Sequence, residues 1–309
     1  METCLFGKTD MQVSRLGFGS YKMSGKAGGS TVEEVSRLLG EALDSGLNVI
    51  DTAECYEQSE ELIGQAVGHR RSEYYLFTKC GHAAGLDLPD WSPRLVEQSI
   101  DRSLRRLRTD YLDLVQFHSC SQEQLRQGDI IAVLQRARDA GKVRYLGYSG
   151  DRRAARYAVQ CGAFDALQTS VNIADQEALG RTIPQARAQQ MGIISKRSLA
   201  NAVWKTGHSA TDPDEQKYWK RLAALDYDFL HGDLDTIAST ALRFTLSVPE
   251  VDVVLVGSTN PDHLRYNIAL LAAGPLPEPQ FQAIRRRWKV LTWWRRPLPG
   301  SQFGWQGLV

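Results

Sequence analysis

At 309 residues, with 37 Lys and Arg against 36 Asp and Glu for a formal charge of +1, the chain has room for two ordinary domains or one large α/β barrel. A charge so near zero excludes a global field that would gather nucleic acid or an anionic membrane surface, so any partner is recognised locally. No run approaches the roughly 18 apolar residues of a membrane span, METCLFGKTDMQ has no apolar signal core, and the five cysteines include no CxxC pair; reduced thiols and a cytoplasmic location are expected.

In chain order, CLFGKTDMQVSRL (4–16) reads as a hairpin around GKTD that would lie across the floor of a barrel. Strand-like apolar runs then recur at 15–20, 48–53, 74–80, 111–118, 143–149, 166–172, 192–198 and 251–258. Amphipathic stretches at 32–46, 59–68, 92–108, 130–142, 152–162, 177–192, 234–248 and 261–274 read as the helices between and after them. Gly46, Gly141 and Gly162 stand where a left-handed helix cap is wanted, and Ser92 before Pro93 and Asn260 before Pro261 look like helix starts.

Eight strand-then-helix units predict right-handed crossovers, a parallel sheet and closure into a (β/α)8 TIM barrel rather than an open doubly wound sheet. The LGFGS strand leads into a loop with no GxGxxG turn, so the doubly wound dinucleotide fingerprint is absent. One domain over 1–309 is the economical reading, with the barrel at 15–272 and the interval 200–234 and the tail 273–309 extra to it.

The active site of such a barrel lies at the C-terminal mouth of its strands. Those strand ends supply Asp51, Lys79 and His118, and the loop after Asp51 supplies Tyr56. A buried Lys79 needs a counter-charge, which Asp51 can provide. An ammonium near a phenol favours phenolate, so the Tyr56 pKa is expected to fall, making the phenol a usable proton donor, with His118 orienting a carbonyl oxygen or relaying the proton. No activated nucleophile and no metal cage accompany them; protonating a carbonyl becomes reduction once a hydride is supplied, which points to a bound nicotinamide.

Singly, these residues read as readily as packing or as a structural ion pair, and their joint occurrence carries the inference. Two other function classes stay open: a partner-binding regulatory protein that uses the barrel as a nicotinamide redox sensor, and a lyase forming a Schiff base on Lys79.

LGFGSYK, DTAECYEQSEELIG, FTK, SLRRLRTDYLDLVQFH and GKVRYLGYS fall in family order, and over nearly its whole length the sequence resembles the aldo-keto reductases. The resemblance implies an NAD(P)H-dependent oxidoreductase acting on an aldehyde or ketone, or on the corresponding alcohol, with Asp51, Tyr56, Lys79 and His118 as a tetrad and Tyr56 as the general acid. By position it implies cofactor contacts from Gly19 and Ser20, from Ser149 and Gln168 to the carboxamide, and from Lys196, Arg197, Ser198 and Leu199 near the pyrophosphate. It also implies Gly257, Ser258, Thr259 and His263 near a 2′-phosphate and Asn267 near adenine, so that NADP(H) is preferred over NAD(H). Tyr21, Trp204, Trp293 and Trp294 are the substrate-wall candidates, with Phe303 and Trp305 of the same tail as alternatives.

The chain departs from the family pattern in carrying Glu57 where glycine usually follows the acid tyrosine, which leads to an expectation of a different loop backbone. Gly150 stands where asparagine is common, Lys196 where an aromatic often stacks on the nicotinamide, and His263 where many members use arginine. Cys80 is expected to point away from the barrel interior, opposite to Lys79. Cys55 and Cys120 fall in loops, with Cys55 a candidate reactive thiol. IRRRWKVLTWWRRP (284–297) is expected to form an outer helix, and His69, His82 and His208 to be surface histidines.

Overall fold

The computed structural model describes residues 1–23, 29–207 and 211–293, with Thr292 and Trp293 described by their backbone alone. Strands β1 (Thr3–Leu5) and β2 (Gln12–Ser14) form an antiparallel hairpin. Eight parallel strands follow: β3 (Leu16–Gly19), β4 (Val49–Asp51), β5 (Tyr75–Cys80), β6 (Leu112–His118), β7 (Val143–Ser149), β8 (Ala166–Ser170), β9 (Gly192–Lys196) and β10 (Val253–Val256). They close into a barrel through pairing of β10 with β3. The eight expected runs are these eight strands, seven of them shortened at one or both ends and 143–149 reproduced in full.

Helices α1 (Val32–Asp44), α2 (Ser59–Val67), α3 (Pro93–Leu107), α4 (Gln122–Gln127), α5 (Asp129–Asp139) and α6 (Arg152–Gln160) surround the first half. Helices α7 (Thr182–Ala188), α8 (Pro213–Leu225), α9 (Leu234–Leu246), α10 (Pro261–Ala272) and α11 (Glu278–Trp293) complete the outer layer. Their ends follow local chemistry. Ser92 and Asn260 accept from the backbone N–H groups of Leu95 and Asp262, each ahead of a proline, and Gly46, Gly141 and Gly162 all take positive φ.

The two-residue period of each strand divides the core. Val49, Phe77, Leu114, Ala166, Ile194 and Val253 point inward, where Phe6 and Met11 of the hairpin close the barrel floor, all of them fully buried. The intervening Ile50, Leu76, Val115, Leu146, Leu167 and Ile193 pack outward against the helices. Cys80 belongs to this outer layer, as its alternation with Lys79 requires. Gly192 admits the floor plug, since a Cβ there would lie 2.4 Å from the Phe6 ring.

The structure differs from the sequence reading in three places. The stretch 177–192 is a 3-10 turn at Glu177–Gly180 followed by the short α7, because Pro184 lacks an N–H and fits only the first turn of a helix. Segments taken as loops hold α4 and α8. Helix α8 joins α9 and α11 in a second apolar cluster built on Tyr218, Leu222, Phe244, Ile284 and Trp288. The tail therefore begins as the expected outer helix, although Arg285 and Arg287 bond Gln176 and the Leu225 carbonyl instead of standing free in water.

The glycine of SEELIG has a packing reason: a Cβ on Gly64 would sit 2.2 Å from the Arg106 carbonyl oxygen, where α2 crosses the end of α3. Alanine is worth about 1 kcal/mol more than glycine in a helix interior, but overpacking against rigid backbone costs about 1–3 kcal/mol. Gly64→Ala is expected to lower the denaturant midpoint despite its better helix propensity, as urea unfolding followed by circular dichroism would register.

Candidate active site

Register sets the level at which each polar residue meets its neighbours. Asp51 is level with Gly19 and Phe77, Lys79 with Gln116, His118 with Ser149, and Ser149 with Gln168. The inward-facing residues one step above the apolar floor are therefore Asp51, Lys79, Gln116 and Gln168. Lys79 is 1% exposed and Asp51 3%; Lys79 Nζ donates to Asp51 Oδ1 at 2.5 Å and to the Thr52 carbonyl at 2.7 Å. Gln168 and Gln116 donate to the other Asp51 oxygen at 2.9 and 3.3 Å. The carboxylate thus has donors on both oxygens, as a buried charge needs.

A short turn brings Tyr56 back over this pair. Tyr56 N donates to the Ala53 carbonyl and Ser59 N to that of Tyr56, so α2 starts three residues beyond the phenol. Lys79 Nζ lies 5.1 Å from the Tyr56 ring centroid, the His118 ring 5.7 Å and the Tyr21 ring 5.1 Å. Glu57 takes φ 42°, the left-handed conformation that glycine adopts freely, at a cost of about 1 kcal/mol for a residue with a Cβ.

Electrostatics corrects one expectation. Burial pushes the Tyr56 phenol above its ordinary value, and the opposing pull of Lys79 does not reverse this, so the phenol is a fully protonated acid at neutral pH. For Lys79, burial is the largest influence and opposes the charge, but the Asp51 carboxylate outweighs it and holds the ammonium above its usual range. His118 is pushed down to about 2 by burial and by the charges of Lys79 and Lys196, and is neutral.

His82, read from sequence as a surface histidine, lies over the site. Its Nε2 donates to the His118 carbonyl at 3.0 Å, its ring is 5.4 Å from that of His118, and Trp91 packs against its other side at 5.1 Å. Glu54 anchors this loop, with Oε1 accepting from His82 N at 2.9 Å and Oε2 facing Arg102 at 3.4 Å. The signal in the sequence was a second acid, Glu54, between the strand-end Asp51 and Tyr56.

The expected cofactor contacts distribute unevenly. Ser149 donates to Gln168 Oε1 at 2.7 Å, and with its one bond to Asp51 Gln168 keeps one N–H and one lone pair, the pair of contacts a carboxamide takes. Gly19 and Gly257 meet closely in the backbone, while Ser20 is buried and accepts from Ser59. Lys196 and Arg197 reach the rim but already face Asp151 (3.3 Å) and Asp214 (2.5 Å), and Ser198 turns its hydroxyl inward to Ser195. Leu199 packs between the two outer clusters.

Ser258 and His263 Nδ1 lie 3.0 Å apart at the start of α10, and Asn267 is buried on that helix. Thr259 lines a cavity of about 290 Å³ with Ser30, the acid Glu34 and the cations Lys22 and Arg37, which the sequence reading did not connect with this end. The amide pair of Gln168 at the centre of the mouth has the donor and acceptor that a nicotinamide carboxamide takes.

Tyr21, 49% exposed, is the substrate candidate that touches Tyr56. Trp204 packs against the second cluster. The Trp293 side chain and His208, Trp294, Phe303 and Trp305 lie outside the described residues. Among the described residues no helix is long and apolar enough to cross a membrane.

A model of the Aldo/keto reductase family matches residues 15–289. The chain belongs to that family. It is therefore an NAD(P)H-dependent oxidoreductase. It is 27% identical to L-galactose dehydrogenase of Arabidopsis thaliana over 95% of this chain and 97% of that one. It is 26% identical to the NADH-specific methylglyoxal reductase of Escherichia coli over 88% and 94%. The holo form of aldo-keto reductase AKR11C1 from Bacillus halodurans has the same fold, with TM-score 0.79, 24% identity and coverage of 93% and 96%.

Two predictions follow from the buried charges. Lys79→Met leaves Asp51 as an uncompensated buried carboxylate and is expected to destabilise the fold by about 3–5 kcal/mol in urea titrations. Glu54, whose carboxyl burial raises from an ordinary 4.5 to about 8, contributes stability that is complete below the lower value and lost as pH rises through the higher one. Glu54→Gln should remove that component, leaving a flatter stability curve across this interval.

Proposed function

We propose that this family member reduces the carbonyl of a small aldehyde or ketone, or runs the reverse on the alcohol, with NADPH preferred and Tyr56 as the general acid. The observation that carries the reading is the Lys79 ammonium held between Asp51 and the Thr52 carbonyl, with the Tyr56 ring 5.1 Å above it. A bound nicotinamide supplies the hydride. Tyr56 gives its proton to the carbonyl oxygen, and the adjacent ammonium stabilises the phenolate left behind. Neutral His118 offers a hydrogen bond to the same oxygen, and Asp51 keeps Lys79 charged.

The same ion pair argues against a Schiff base, since a protonated amine with its N–H groups engaged is no nucleophile. Support for NADPH comes from Ser258, Thr259 and His263, joined across the cavity beside Thr259 by Lys22 and Arg37, two cations against the single acid Glu34. Tyr21 is the residue best placed to touch the substrate, and the names of the two relatives put small dicarbonyls and sugars first in a substrate panel.

Tyr56→Phe is expected to bind NADPH as the wild type does while losing about 10²-fold or more of kcat. Quenching of tryptophan fluorescence by NADPH and NADH gives the affinities, and nucleotide absorbance gives the turnover. Wild-type rates in the variant would remove Tyr56 from the mechanism. Tight nucleotide binding with no turnover over a broad carbonyl panel would favour a redox sensor, and tighter NADH than NADPH binding would reverse the cofactor preference.

A further inference from the structure

We propose that Cys55 is a positioning residue for this reaction, its thiol donating a hydrogen bond to Nδ1 of His118 and so fixing the imidazole as the Nε2–H tautomer. The inference deepens the carbonyl-reduction reading and rests on it.

Cys55 Sγ lies 3.2 Å from His118 Nδ1. The cysteine immediately precedes Tyr56 in the turn after β4 and the histidine ends β6, so the barrel brings them together across 63 residues of sequence. Among the described residues Nδ1 has no other hydrogen-bond partner and Nε2 has none. The rings of Tyr56 and His82 meet the imidazole nearly perpendicularly, at 77° and 71°, and these contacts hold its plane without distinguishing one nitrogen from the other. The choice of tautomer falls to the thiol.

The direction of the bond follows from the charge states. Burial together with Lys79, Lys196, His82 and Arg197 keeps His118 neutral. Burial and the nearby Glu54 push the Cys55 thiol up to about 11, against the pull of Lys79, so it is neither thiolate nor a ready nucleophile. Two neutral arrangements remain. In one, Nδ1–H points at sulfur, a weak acceptor; in the other, S–H points at the lone pair of an imidazole nitrogen, a strong one. The second is favoured, and it leaves the proton on Nε2.

A carbonyl oxygen only accepts, and it gains charge as it is reduced. With Tyr56 O–H as one donor, Nε2–H of His118 is the second; the opposite tautomer would set a lone pair against that oxygen. Cys55 is thereby placed behind His118, touching neither substrate nor cofactor, and excluding half of the imidazole's neutral states.

The test uses the full chain labelled with 15N-histidine, in wild type, Cys55→Ala and Cys55→Ser. Long-range 15N–1H correlation spectra read the His118 tautomer directly and need no substrate. The wild type and Cys55→Ser, which keeps a donor, should show the Nε2–H pattern; Cys55→Ala should show a mixture. In steady-state reduction Cys55→Ala should lose about tenfold or more of kcat with KM and NADPH affinity unchanged, and Cys55→Ser should recover most of it. An Nδ1–H pattern in the wild type, an unaltered Nε2–H pattern in Cys55→Ala, or an altered tautomer with an unaltered kcat would each overturn the proposal. Absence of turnover in every variant would instead sink the carbonyl-reduction reading, and the spectra would still report what Cys55 does to His118.

Discussion

A lysine ammonium held almost out of contact with water inside a barrel is the constraint around which this mouth is arranged. Lys79 is tolerable there because Asp51, two strand positions above the apolar floor, meets it at 2.5 Å, and because Gln168 and Gln116 supply donors to the second carboxylate oxygen. Removing any of these leaves a buried charge or amide without its partner, which the low-dielectric interior penalises far more than the pair gains. The cluster joins β4, β5, β6 and β8, so its satisfaction depends on closure of the barrel.

The layers above and below serve the same cluster. Below, Phe6 and Met11 of the hairpin complete an apolar floor that keeps water from the inner ends of the strands. Above, the turn after β4 brings Cys55 and Tyr56 to the mouth, and Glu54 in the same turn ties down the loop that lays His82 on His118. A single six-residue segment, DTAECY, thus supplies the counter-charge, a loop anchor, the candidate tautomer-setting thiol and the candidate acid. That density explains why an acid at a strand end, awkward for packing, stands in this chain.

Much of the architecture was legible because it is written in local periods. The eight strands follow from apolar alternation, their helices from caps such as Ser92 and Asn260, and the opposite orientations of Lys79 and Cys80 from the two-residue repeat alone. Helix α8 was legible too, in Asp212–Pro213 and the i, i+4, i+7 series Tyr218, Leu222 and Leu225, but a polar surround hid it. The role of Gly64 was visible as a motif and explained only by the carbonyl of Arg106 on another helix.

By itself the sequence determined the fold class, the strand ends at which Asp51, Lys79 and His118 stand with Tyr56 in the loop between, and the face on which Lys79 lies, since side-chain direction is a property of short segments. Only the tertiary structure decided the electrostatics: that burial outweighs Lys79 at Tyr56, that Lys196 and Arg197 already face carboxylates, that His82 lies over the site, and that Cys55 meets Nδ1 of His118. Desolvation and hydrogen bonding depend on what surrounds a group in three dimensions, and those surroundings come from elements far apart in the chain.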